Sequence, residues 1–242
     1  MGEEKTLVEK IVEEETTKDP VNILTIDFDY IMSPCINLYN DMCGGDQNPT
    51  ETWERIESER KINNHISYDA TSFYNIAIIM KSILAFNKEC KFHAVKEHQE
   101  LIDTVGINDS DDIYNVTNID FHHDIYYRPE DVVKMDYYHD YNCSNWLAYM
   151  YYADKLNSYT WIKAANSDRV NLDVFDEGLK DKITIQPSVY LQEYAKSCME
   201  NKLESKVDHI VFCLSPQWVP YRYHHLFYML ADIFKDWAGD DR

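Results

Sequence analysis

The sequence predicts an α/β protein in three layers, a mostly parallel central sheet with helices on both faces. Three observations carry this expectation. Short continuous apolar runs, such as Ile23-Leu24-Thr25-Ile26, suit strands buried on both faces. Those runs alternate with longer segments of helical periodicity, the pattern of layered α/β folds. Apolar residues make up 45% and aromatics 14% of 242 residues, enough for one sizeable core and too much for disorder.

The elements follow in order. Residues 1–19 are charged, with Leu7, Val8, Ile11 and Val12 at helical spacing, so a short amphipathic helix or tail is expected before Pro20. Residues 20–242 are expected to form a single domain. Strands are predicted over 21–30, 90–95, 113–120, 159–165, 182–187 and 209–215. Helical patterning covers about 50–87, a helix starts near Lys96, another spans 145–156, and the last runs over 224–238. There is no internal repeat and no interdomain linker.

Composition excludes several function classes. Lys and Arg total 23 against 43 Asp and Glu, a formal charge of −20, which argues against a nucleic-acid backbone and favours cationic ligands. With 6 glycines there is no GxGxxG or Walker pattern to cradle a phosphate. No run approaches the roughly 18 apolar residues of a membrane span, and the acidic start lacks the basic flank of a secretory signal. The 6 cysteines show no CxxC pair and read as reduced thiols, so a cytoplasmic protein with no membrane partner is expected.

Three acid- and histidine-bearing segments stand where predicted strands end: Asp27-Phe28-Asp29, Glu97-His98, and Asp120-Phe121-His122-His123-Asp124. In extended chain alternate residues point the same way, so Asp27 with Asp29, and Asp120 with His122 and Asp124, are expected to face one site. Four converging carboxylates repel one another unless cations neutralise them, and two divalent ions balance the count. Oxygen and nitrogen donors without thiolate fit manganese, ferrous iron or zinc.

The Asp120–Asp124 segment resembles the DxHxD signature of the arginase and deacetylase superfamily, and His98 resembles its separate histidine ligand in order and spacing. Residues 25–34, with a DxD followed by Pro34, are similar to a second ureohydrolase element. In arginases that element follows the DxHxD; here it precedes it, which implies a circularly permuted, arginase/deacetylase-like fold. More closely, the chain resembles peptide arginases, which convert arginine to ornithine within precursor peptides. The likeness also includes Asn142–Leu147 and the late run at 213–220.

The resemblance implies two Mn2+ ions, with Fe2+ or Co2+ sharing the ligand preference. Asp27 and Asp120 would bridge them, His98 and Asp124 would complete one shell, and His122 and Asp29 the other. A metal-bridging hydroxide would attack the guanidinium carbon of an arginine residue in a precursor peptide and release urea. Glu97 is the candidate anion for the guanidinium, its alternative being a helix-start acid. His123 and His139 are candidate proton carriers for the leaving amine. Asn142, Asn145, Gln217 and Trp218 are candidate substrate contacts, with turn formation and core packing as their alternatives. His224 and His225 are expected at the surface or in packing. Two other functions stay open: a dinuclear hydrolase of a free guanidino or acylated amine compound, and a metal-stabilised binder of basic peptides.

Overall fold

A computed structural model describes residues 18–32, 49–60, 68–125, 141–167, 169–175 and 177–239. The expected helix or tail over residues 1–19 therefore lies almost wholly outside the described residues, as does His139. The six predicted strands are all present: β1 Val21–Asp27, β2 Lys91–Val95, β3 Tyr114–Asp120, β4 Leu156–Lys163, β5 Ile183–Gln186 and β6 His209–Cys213. They form one sheet in the order β2-β6-β1-β3-β4-β5, and every pairing is parallel.

The helices are α1 Asp29–Met32, α2 Pro49–Arg60, α3 Ala70–Phe86, α4 Leu101–Val105, α5 Trp146–Tyr152, α6 Glu177–Lys180, α7 Tyr190–Met199 and α8 His224–Ala238. The helix α7 has no counterpart in the sequence expectations, although Leu191, Ala195 and Cys198 recur at helical spacing and are its buried residues. The helical stretch expected over 145–156 ends early, because Leu156 already begins β4.

Alternation along the strands divides the core in two. Leu24, Ile26, Ile210 and Phe212 face α3, α7 and α8, where Phe28, Phe212, Phe227 and Phe234 pack edge to face or stacked. Ile23, Val116, Val211, Tyr159 and Trp161 face α4, α5 and α6. A parallel sheet needs cover on both faces, and this division supplies it. No helix among the described residues is long and apolar enough to cross a membrane.

The chain order reverses at β1, which lies between β6 on one side and β3 on the other. Ligands of open α/β sheets gather beyond the carboxyl ends of strands at such a switch point. Asp27 and Asp120 are the last residues of the two strands that meet there.

Candidate metal centre

Asp27 is in register with Cys213 of β6, and Asp120 with Lys163 of β4. Since Ile26 pairs with Ile119, the next residues, Asp27 and Asp120, stand side by side on the face that carries Ile23 and Val116. His98, in a single 3-10 turn after β2, lies over this row. Its Nδ1 is 3.4 Å from Asp27 Oδ2, 3.2 Å from Asp120 Oδ2 and 2.8 Å from Asp124 Oδ2. On the other side His122 Nδ1 is 2.9 Å from Asp29 Oδ2. All six expected ligands thus come together, and every one except His122 is buried.

The route to this arrangement differs from the extended chain the sequence suggested. Asp29 opens the short helix α1, and Asp124 has a left-handed φ of 52°, so neither segment continues as a strand. Turns built by the acids themselves replace the alternation. Asp27 Oδ1 accepts from Asp29 N–H at 3.0 Å, and Asp120 Oδ1 accepts from His122 N–H at 2.8 Å, which are Asx turns. One oxygen of each acid thereby shapes the backbone, and Oδ2 is left facing His98. Asp tolerates positive φ better than most residues, which is how Asp124 can fold back toward the row.

A further layer of contacts orients the ligands. Thr25 Oγ1 is hydrogen-bonded to His98 Nε2, leaving Nδ1 for the carboxylates. Trp146 Nε1 donates to Asp124 Oδ2 at 2.6 Å. Asn118 Nδ2 donates to Asp120 Oδ2 at 3.1 Å and to Tyr159 Oη at 3.2 Å, and Tyr159 Oη donates to the His123 carbonyl at 2.8 Å. Ser215 Oγ donates to Asp27 Oδ2. Sequence reasoning did not single out Thr25 or Asn118, yet each stands two residues before a strand-end Asp, on the same face, and period-two reading would have found them. Ser215 and Cys213 carry no such signal, since their proximity depends on β6 lying beside β1.

The donors fall into three groups whose ligand atoms lie within 4.8 Å of one another: His98, Asp120 and Asp124; Asp29, Asp120 and His122; and Asp27, His98 and Cys213. These buried groups could hold a metal ion. Two atoms report on the fit. Asp29 Oδ2 and His98 Nδ1 are buried without a hydrogen bond, although each lies within 3 Å of an oppositely disposed partner. Close but unaligned lone pairs of this kind suit donors that address a common cation, and a buried polar atom left unpaired is otherwise costly. The thiol of Cys213 corrects the expectation of a purely oxygen and nitrogen environment. It is wholly buried and 3.4 Å from Ser215 Oγ.

The electrostatics agree with a cation site. Burial, then Asp27 and Asp120, push the Asp29 carboxyl well above its usual range. Burial opposes a charge on His122, but Asp29, Asp120 and Asp124 together outweigh it and the imidazole rises to about 9. Burial likewise opposes a charge on His98, yet Cys213, Asp120 and Asp124 hold it well above its ordinary value. The cluster attracts positive charge from any source.

The remaining candidates divide. Glu97 is half-buried and caps the start of the 3-10 turn, with its N–H donating to Glu100 Oε1 at 3.3 Å, as its helix-start alternative expects. Its carboxylate also meets Gln217, whose Nε2 lies 2.7 Å from both oxygens. Burial raises its pKa, Gln217 opposes the rise, and Glu100 and Asp27 add to it. Trp218 packs on His122, ring centroids 4.4 Å apart. His123 is turned to Trp161, and its Nδ1 accepts from Ile125 N–H at 3.1 Å. Asn145 Oδ1 accepts from Asn142 N–H at 2.7 Å, and Asn142 Oδ1 accepts from Ser144 N–H, so both side chains close the turn before α5. His224 is buried against the Val219 carbonyl and His225 is exposed, as expected.

A cleft of about 690 Å3 lies at the opposite, amino-terminal end of the strands, lined by Asn22, Lys91, Lys206, Asp208 and His209 among others. Lys206 pairs there with Glu89 and Asp208 accepts from Asn22 N–H, and the cleft holds none of the converging ligands. Comparison with protein-family models, with curated proteins and with solved structures finds no match for this chain.

Proposed function

We propose that the protein is a dinuclear metal hydrolase that converts arginine residues of a peptide to ornithine with release of urea. The observation that carries this reading is the double membership of Asp120. It belongs to two ligand groups, each completed by one histidine and one further aspartate, at the carboxyl edge of the sheet. Two such groups sharing a carboxylate suit a pair of divalent ions, Mn2+ first, with Fe2+ or Co2+ sharing the preference for carboxylate and imidazole. Bound there, the pair would supply an activated water at neutral pH.

The chain's own residues do the rest. Asp120 ties the two groups, Thr25 fixes which nitrogen of His98 faces them, and Trp146 holds Asp124 in place. Glu97, beside His98, offers a negative charge to a cationic side chain. A guanidinium resists deprotonation, so it must be held as a cation while its carbon is attacked. His122, with its side chain 30% exposed, marks the side of the centre open to solvent. The peptide context rests on the resemblance of motif order to the peptide arginases.

The test is mass spectrometry of arginine-bearing peptides after incubation with manganese-loaded protein. Hydrolysis replaces the guanidino group by an amine, so each converted arginine loses about 42 Da. Manganese binding without any such loss, over a panel of arginine peptides and free guanidino compounds, would overturn the reading in favour of a binder.

A further inference from the structure

We propose that Glu97 and Gln217 form one subsite that selects a planar, positively charged N–H donor, a guanidinium, over an ammonium or a neutral amide. The inference deepens the functional reading above and rests on it for the presence of a substrate beside the metal groups. Its observations are independent of the metal ligands themselves.

The two residues are 120 positions apart, one just after β2 and the other in the loop after β6, and the parallel pairing of those strands brings them together. A single NH2 group of Gln217 stands 2.7 Å from both Glu97 oxygens, so it occupies the place of a two-pronged donor. No ion pair reaches the half-buried Glu97 among the described residues. Gln217 Oε1, on the same planar amide, is buried and has no hydrogen-bond partner. The subsite therefore presents a carboxylate lacking a cation and an amide oxygen lacking a donor, side by side. Both lack the same thing.

A guanidinium carries five N–H groups on three nitrogens in one plane, so it can serve the carboxylate and the amide oxygen together. An ammonium radiates three N–H bonds from one atom and is more strongly hydrated. A neutral acyl amide brings no charge to Glu97. Leaving Gln217 Oε1 unpaired penalises a ligand that cannot reach it, the usual source of strong discrimination in polar sites.

The loop is held in place for this task. Ser215, at a left-handed φ of 47°, donates to Asp27, and its carbonyl accepts from Trp218 N–H at 2.8 Å. Trp53 Nε1 donates to the Pro216 carbonyl at 3.3 Å, and Trp218 rests on His122. Gln217 thus lies between fixed points, and little ordering is left for the ligand to impose.

Calorimetric titration of the manganese-loaded protein with N-acetyl-arginine amide and with N-acetyl-lysine amide tests the subsite. The arginine compound is expected to bind at least about tenfold more tightly, the size of one charge-assisted hydrogen bond. Gln217→Met keeps the side chain's length without its polar atoms and should remove most of that preference by weakening the arginine compound alone. The manganese-induced rise in Tm of Gln217→Met should match the parent's, which guards against a merely misfolded loop. Equal binding of the two amides, or a Gln217→Met variant that weakens both equally or neither, overturns the subsite. Selective arginine binding without urea would uphold the subsite and remove the hydrolase; urea release with a silent Gln217→Met would do the reverse.

Discussion

Replacing Asp120 by Asn tests the centre at the residue that both ligand groups share. Its carboxylate lies within 4.8 Å of the ligand atoms of Asp29, Asp124 and His122, and 3.2 Å from His98 Nδ1. At an effective dielectric of 20, a unit-charge pair at 4.8 Å is worth about 3 kcal/mol and one at 3.2 Å about 5 kcal/mol. Asp27 and Asp124 repel the Asp120 carboxylate while His98 and His122 attract it. Asp29, whose carboxyl is pushed well above its usual range, adds little repulsion without metal. The terms nearly cancel, so metal-free Asp120→Asn should lie within about 2 kcal/mol of the metal-free parent. The metal response is different. Manganese at a hundred times its Kd stabilises by about 2.7 kcal/mol, which in a chain of this length raises Tm by about 5–11 °C. With the shared carboxylate gone, the rise should fall below about 2 °C, and metal retained after dialysis should drop for both ions together. Thermal unfolding with and without manganese, paired with elemental analysis, reads both quantities. An Asp120→Asn protein that keeps the full manganese shift would refute the shared-carboxylate centre.

Three further outcomes are expected. Trp146→Phe removes the donor to Asp124 while keeping an aromatic ring in the core, and should weaken metal binding about tenfold, read by chelator competition. The His93 and His209 rings stack 5.3 Å apart, and burial with His93 and Lys91 lowers His209 to about 4. The unfolded chain then binds more protons between the ordinary His value and about 4, so stability present above pH 6.5 is lost as pH falls through that window. After discounting for solvent, the loss is about 1–2 kcal/mol, and denaturant unfolding of His209→Asn should show a flatter profile there than the parent. Phe212→Ala opens the aromatic cluster on the α8 side and should cost about 3–5 kcal/mol, seen as a lower urea midpoint.

Particular residues show how far the sequence could be read. All six strands were legible because a parallel sheet buried on both faces leaves unbroken apolar runs, and the acids that end those runs announced the site. Asp29 and Asp124 were placed correctly for the wrong reason. The sequence suggested alternation, whereas a short helix and a left-handed residue bring them in. The helix α7 was missed although its spacing was visible. Gln217 was a candidate from its place after a strand. Its pairing with Glu97, like the approach of Cys213 to Asp27, lay beyond reach, because only the register of β6 against β1 and β2 brings these residues together. Contacts between residues more than a hundred positions apart follow from strand order, which no local pattern encodes.

The double duty of Asp27 and Asp120 has a consequence for handling this protein. Because one oxygen of each already secures the chain, the loops around the ligands keep their course through bonds that require no ion. On the proposed reading, different divalent ions would exchange in the folded molecule, and a difference in behaviour between manganese, iron and cobalt would measure the ion's own chemistry and not a refolding of its surroundings.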